Sequence, residues 1–212
     1  MPERGVRGNT VFSSDIPKIQ IQVDESFRYV GNLKFTLMDV AWVDIYYFVD
    51  ADGADLKRTF HVQFEGYLPD NTHSYHYPSK ERVKLGGHDY IFDAIFWSPG
   101  AAVQERPNSD TAHGHRFLQE KGYNVGGMRD VMRERYVRLL DEARRNEILL
   151  IYAENLAQYG LTAADLAVGG KSAQEWPRLR EEMHQRSRAS FKVVDQEFPR
   201  HEAAGGWLIY VW

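Results

Sequence analysis

The sequence predicts an α+β fold: a strongly curved or barrel-like antiparallel sheet packed against about three C-terminal helices. Strand patterns fill the N-terminal half of the chain, helical spacing begins near Met128, and a further strand pattern closes the chain. A run of strands followed by a run of helices favours this class over alternating strand–helix units, which build parallel sheets. We expect one domain, because 212 residues is close to the usual size of a single domain.

The composition excludes several classes of site and partner. There are 5 Trp, 12 Tyr and 11 Phe but no Cys, so a disulfide, a thiolate metal site and a cysteine nucleophile are all excluded. A net charge of −4 gives no basic character to attract nucleic acid or an anionic membrane. No apolar run approaches the roughly 18 residues of a membrane span, and the N-terminus lacks the apolar core of a signal peptide. We therefore expect a cytoplasmic protein with no nucleic-acid or membrane partner.

The first half of the chain is predicted to form an arm followed by strands. Residues 1–17 are polar and are expected to form an N-terminal arm, and residues 18–97 carry strand patterns. Ile19, Ile21 and Val23 alternate with polar residues, as in a half-buried strand. Further strand patterns cover residues 27–30, 35–49, 56–68 and 88–97.

A hairpin is expected between the strands that flank residues 50–55. Asp52-Gly53 is a strong two-residue turn signal, and with these residues at the turn centre Asp44 lies opposite His61. A shift of one residue would move every side chain of a strand to the other face. The apolar alternation of the two strands favours the register centred on Asp52-Gly53.

The second half is predicted to begin with a loop and continue as helices. Pro and Gly interrupt residues 98–127, and a long segment without a pattern is typical of a functional loop. Residues 128–192 show helical spacing of apolar residues with Arg and Glu between them, which indicates about three helices with a solvated face. Residues 206–212 (WLIYVW from Trp207) are predicted to form the last strand.

One face of the predicted hairpin resembles the wall of a ligand cavity. It combines large aromatic side chains with polar groups, and cavities are mostly apolar with a few placed polar groups. An unpaired polar group in a dry core would cost a few kcal/mol, and a solvent-exposed face rarely needs so many aromatic rings. An exposed face with some aromatic covering is the alternative. The ligand-binding candidates are Trp42, Tyr46, Phe48 and Gln63 of the hairpin, together with Phe92 of the strand pattern at 88–97.

The same face suggests a catalytic group. An aspartate beside a histidine raises the pKa of the histidine and fixes its tautomer, as a general base requires. Asp44, His61 and Glu65 are therefore the catalytic candidates. An ordinary cross-strand ion pair is the alternative interpretation, and it stabilises a sheet by less than about 1 kcal/mol.

A metal site is a further hypothesis. His113-Gly114-His115 has the H-x-H spacing that places two imidazoles on one side of a strand, so His113 and His115 are candidate ligands. A pair of surface histidines in a polar loop is the alternative. The sequence identifies no cofactor.

Three functions follow from these patterns. The first is binding of a small apolar or aromatic ligand inside the curved sheet, with residues 98–127 as a gate. The second is a hydrolase or isomerase that uses the Asp/His/Glu cluster or a histidine-bound metal. The third is a structural or assembly protein whose arm and aromatic residues make contacts in a homo-oligomer. The sequence leaves open whether the chain is an enzyme.

Overall fold

A computed structural model of the chain describes residues 4–194, and it contains two antiparallel sheets with short and medium helices. The first sheet consists of β1 (Arg4–Arg7), β2 (Thr10–Ser13), β3 (Ile19–Val23) and β11 (Phe191–Val194), in the order β1-β2-β3-β11. The second consists of β4 (Arg28–Leu37), β5 (Ala41–Asp52), β6 (Asp55–Tyr67), β7 (Arg82–Leu85), β8 (His88–Trp97), β9 (Val131–Leu139) and β10 (Asn146–Asn155), in the order β4-β5-β6-β10-β9-β8-β7. The α+β class is confirmed, whereas the barrel-like shape stays a prediction because neither strand order closes into a ring within residues 4–194.

The helices lie between and after the strands of the larger sheet. They are α1 (Pro99–Glu105), α2 (Asp110–Glu120), α3 (Ala163–Leu166) and α4 (Trp176–Ser190), with 3-10 turns at Val125–Gly127, Leu156–Tyr159 and Ala173–Glu175. The segment 98–127, predicted to be a loop, therefore contains two helices. The Ser109 side chain caps α2 by accepting from the Ala112 amide at 3.2 Å.

The prediction of helix after Met128 is wrong for residues 131–155. This segment forms β9 and β10, which pair with each other and with β8 and β6. Residues Ile148 to Ala153 form a continuous buried run, as in a central strand with both faces covered. The Arg and Glu residues of β9 alternate between the two faces of the sheet. They do not form one solvated helical face.

The hairpin of β5 and β6 has a different register from the predicted one. Its turn places Asp52 opposite Asp55, one residue later than expected, and a bulge follows at Asp50/Ala51. The later turn alone would leave the faces unchanged, but the bulge adds one residue and inverts them. Tyr47 consequently lies opposite His61, and Asp44 lies opposite Phe64.

The two faces of the larger sheet serve two different layers. The inner face packs against the smaller sheet and α4, and its buried aromatic residues form the main core. The outer face carries Val43, Ile45 and Tyr47 of β5 beneath Phe117 and Leu118 of α2. The smaller sheet includes β1 and β2, so residues 1–17 contain two strands where an arm was predicted.

Two sequence-based expectations concern membrane-spanning helices and the last strand. Between residues 4 and 194, no helix combines the length and the apolar character that a membrane crossing requires. The strand predicted over residues 206–212 lies outside the described residues.

Candidate functional site

A cavity of about 130 Å³ lies between α2 and the outer face of the larger sheet. Its roof is formed by Thr111, Gly114, His115 and Leu118 of α2. The floor is formed by side chains of five neighbouring strands: Tyr47, Thr59, His61, Gln63, Trp97, Val131, Arg133, Arg135, Leu149, Ile151 and Ala153. The wall is thus largely apolar and carries a few polar groups, which is typical of small-molecule sites.

Three buried nitrogen atoms at this cavity have no hydrogen-bond partner among residues 4–194. They are Nδ1 of His61, Nε1 of Trp97 and Nε of Arg133. The indole and the guanidinium nitrogens are obligatory donors. Leaving a buried donor unpaired costs about 1–3 kcal/mol, and Nδ1 of His61 is a donor or an acceptor according to its tautomer. A polar group placed between these atoms would therefore be stabilised by them.

Arg133 and Arg135 share one carboxylate beside the cavity. Asp93 accepts from Nη2 of Arg133 at 3.0 Å through one oxygen and from Nη2 of Arg135 at 2.6 Å through the other. All three side chains are mostly buried. Burial, and next the charge of Arg135, hold the pKa of Arg133 below its ordinary value, while Asp93 raises it. Positive charge therefore exceeds negative charge in this triad.

His61 is neutral at physiological pH. Burial, followed by the charge of Arg133, lowers the pKa of His61 to about 3. The neutral imidazole offers one N–H and one lone pair. It can form hydrogen bonds with a bound molecule, but a group with such a low pKa is a weak general base near neutral pH.

The position of α2 above the cavity depends on one glycine. A Cβ added to Gly114 would lie 2.1 Å from the hydroxyl oxygen of Tyr47. The ring of Tyr47 also stacks on Phe117 of the same helix, with centroids 5.4 Å apart. Any other residue at position 114 would therefore displace either the Tyr47 ring or α2.

A pair of buried carboxylates adjoins the cavity on the same face. Glu65 and Glu147 lie directly opposite each other on β6 and β10. Gln63 and Tyr75 donate to Glu65 at 2.6 and 3.0 Å, and Tyr77 donates to both oxygens of Glu147 at 2.8 Å. Burial raises the pKa of both carboxyl groups, and that of Glu147 to about 8.

The predicted catalytic cluster is divided between the two faces of the sheet. His61 and Glu65 lie on the outer face, whereas Asp44 lies on the inner face, because the bulge opposite Asp50/Ala51, where β6 has one extra residue, inverts the register. Asp44 accepts from Asn32 at 2.5 Å and from Tyr46 at 3.3 Å. The structure therefore does not form the Asp44–His61 pair, on which the predicted enzyme function mainly depended.

The predicted ligand-binding residues are divided in the same way. Gln63 borders the cavity. Trp42, Tyr46, Phe48 and Phe92 belong to the inner core or pack against it. For these four residues the predicted cavity wall is the packed core between the larger sheet and the layer formed by the smaller sheet and α4.

The two histidines of the H-x-H motif are on α2 and do not converge. His115 borders the cavity, and burial lowers its pKa. His113 stacks on Phe35 of β4, with centroids 4.0 Å apart. The helix places residues two positions apart on different sides. Within the described part of the chain, no group of three His, Cys, Asp or Glu side chains could hold a metal ion.

Sequence reasoning missed Trp97, Arg133, Arg135 and Asp110, all of which border the cavity. The two arginines were assigned to a helix, in which residues two positions apart point to different sides. In a strand they lie on the same face. The continuous apolar run from Ile148 to Ala153 is typical of a buried strand. If that run is a strand, the segment before it is also a strand, and Arg133 and Arg135 then lie on the same face of the sheet.

Protein-family models, curated proteins and solved structures were each compared with the chain, and none of them matches it.

Proposed function

We propose that the protein binds a small molecule in the cavity between α2 and the outer face, with the larger sheet curved around the ligand. The observation that carries the proposal is the set of three unpaired nitrogens at one cavity, on His61, Trp97 and Arg133. A bound polar group would offset the cost of burying them. The remaining wall, with Leu118, Leu149 and similar side chains, suits an apolar or aromatic body.

The volume limits the size of the ligand. A cavity of about 150 Å³ holds benzene, and this one is about 130 Å³. A compact molecule with about five to seven non-hydrogen atoms would fill this space, and a larger one would require α2 to move outward. In this proposal α2 acts as the gate that the sequence suggested for residues 98–127.

Cytoplasmic location and assembly into a homo-oligomer stay part of the proposal. Native mass spectrometry of freshly purified protein measures the oligomeric state and any retained small molecule together. Retention of a molecule in the expected size range would support the binding function.

The binding function is tested by filling the cavity. Ala153 borders it, so Ala153→Leu should occupy part of its volume and prevent binding. A bound ligand at about 100 times its Kd stabilises a protein by about 2.7 kcal/mol. We expect phenol to raise the melting temperature of the wild type and to have little effect on Ala153→Leu.

The control is Ala101→Leu, at an exposed position of α1. It should respond to phenol as the wild type does. If phenol and other compact aromatic or aliphatic molecules stabilise neither the wild type nor this control, the cavity does not bind small molecules and the proposal is wrong.

A further inference from the structure

We propose that the ligand is a small carboxylate whose charged end is held by Arg133 and Trp97. This inference rests on the proposed binding function and specifies the chemical class of the molecule bound. Nε of Arg133 and Nε1 of Trp97 are both buried donors without a partner in the described chain. The guanidinium of Arg133 lies 5.7 Å from the centroid of the Trp97 ring. Two donors from neighbouring side chains require an acceptor group, and a carboxylate provides two oxygens.

The local charge favours an anionic acceptor over a neutral one. Asp93 is shared between two arginines, so the two guanidinium charges of the triad have a single carboxylate in direct contact. A buried cation without a full partner is destabilising, and a carboxylate would supply the missing charge. Hydrogen bonds between an arginine and a carboxylate are also about twice as strong as those between neutral groups.

Among the described residues that border the cavity, Asp110 is the one carboxylate, and its charge would oppose an anion. It accepts from the Thr111 amide at 2.7 Å and from the Thr111 hydroxyl at 3.4 Å. The charge of Asp110 raises the pKa of Arg133, as the charge of Asp93 does more strongly. Within residues 4–194, however, the carboxylate in contact with both arginines is that of Asp93. The carboxylate end of the ligand is therefore assigned to the Trp97 side of the cavity, and its apolar end to Leu118 and Leu149.

The test compares two probes of similar shape, sodium butyrate and butyramide, by calorimetric titration of the full-length protein at constant ionic strength. We expect butyrate to bind wild type at least about tenfold more tightly than butyramide, because only butyrate compensates the excess charge. Arg133→Gln can still form a hydrogen bond with Asp93, and it should abolish this preference by weakening butyrate binding alone. Arg82→Gln, which changes an exposed arginine of β7, should keep the preference.

A spectroscopic measurement on the wild type covers the case in which Arg133→Gln fails to fold. The indole N–H of Trp97 should shift in a nitrogen–proton correlation spectrum when butyrate is added, and Trp97→Phe identifies its signal. Equal or tighter binding of butyramide, or an unchanged Trp97 signal at saturating butyrate, would overturn the carboxylate assignment. Binding of phenol or butyramide without butyrate would reject the carboxylate and retain the binding function, whereas no binding of any probe would reject both.

Discussion

Glu147 is buried and lies opposite a second carboxylate, that of Glu65. Both of its oxygens accept from Tyr77, and Glu65 lies directly across the strand pair. Burial raises its pKa from 4.5 to about 8; the Tyr77 hydrogen bond opposes this shift, and the charge of Glu65 adds to it. Arg135 partly offsets the shift, and Asp110 adds to it slightly. The folded protein therefore holds a proton that the unfolded chain releases.

This difference in proton binding predicts that stability falls as pH rises. Below pH 4.5 the folded and the unfolded states both hold the proton of Glu147. Above pH 4.5 only the folded state holds it, so the free energy of unfolding falls with rising pH until the folded state also releases the proton near pH 8. His61 has the opposite effect, but only below 6.5, since its folded pKa is about 3. Between pH 6.5 and 8 we thus expect the free energy of unfolding to fall, and Glu147→Gln to remove much of the decrease.

The measurement is urea unfolding at several pH values for the wild type, Glu147→Gln and the exposed control Glu142→Gln. At pH 8 the Glu147→Gln variant should be more stable than the wild type by about 1–3 kcal/mol, since each unit of pKa shift corresponds to about 1.4 kcal/mol. A variant with the same slope as the wild type over this range would show that Glu147 is not the group responsible.

At the scale of elements, the seat of α2 on the sheet depends on the contact between Gly114 and Tyr47. The hydroxyl oxygen of Tyr47 occupies the space that a Cβ at position 114 would need. A glycine inside a helix lowers its stability by about 0.5–1 kcal/mol relative to alanine, so the close approach of α2 is obtained at the expense of helix stability. The resulting distance between α2 and the sheet sets the height of the cavity.

Gly114→Ala should therefore destabilise the protein by about 1–3 kcal/mol, although alanine is the better helix former. The loss should be smaller in a Tyr47→Phe background, where the nearest ring atom is 3.1 Å away and the hydroxyl at 2.1 Å is gone. Gly100→Ala is the matched control, because Gly100 lies in α1 with open space around its Cβ position. Urea unfolding of the four variants and the wild type measures the coupling, and equal losses in both backgrounds would contradict the contact.

Some strands could be predicted from the sequence and others could not. Strands β3 and β8 followed from alternation and aromatic content, and their residues are where the pattern placed them. Strand β9 was missed because Arg133, Glu134 and Arg135 were interpreted as helical surface residues. In the structure Glu134 is buried on the inner face, where it accepts from Tyr136 at 2.5 Å and pairs with His184 at 3.0 Å. A buried carboxylate with partners from distant elements has no local signature in the sequence.

Only part of the candidate site was predicted from the sequence. His61 and Gln63 were chosen for their chemistry, and the structure places both at the cavity. The residues predicted to lie opposite them on β5 were wrong, because a single bulge at Asp50/Ala51 inverts the pairing of β5 and β6. A bulge changes no residue type, so alternation along one strand cannot reveal which residues of the next strand share its face.

On the scale of the whole molecule, the two sheets are joined by aromatic residues from distant parts of the chain. Phe191 of β11 stacks on Phe60 of β6, with centroids 4.9 Å apart, and meets Tyr136 of β9 edge-on at 5.4 Å. β11 also pairs with β3 near the other end of the described chain. The smaller sheet is thus completed by β11 only when the two ends of residues 4–194 come together over the larger sheet.

This arrangement predicts that the two sheets unfold as one cooperative unit. Phe191→Ala should cost about 3–5 kcal/mol, the usual range for removing a buried phenylalanine. Lys192→Ala, at the exposed neighbouring position, should stay within about 0.5 kcal/mol of the wild type. Far-ultraviolet dichroism and tryptophan fluorescence should give coincident urea transitions for the wild type and both variants. Two separated transitions in Phe191→Ala would mean that the smaller sheet melts independently, and that the larger sheet with its cavity folds without it.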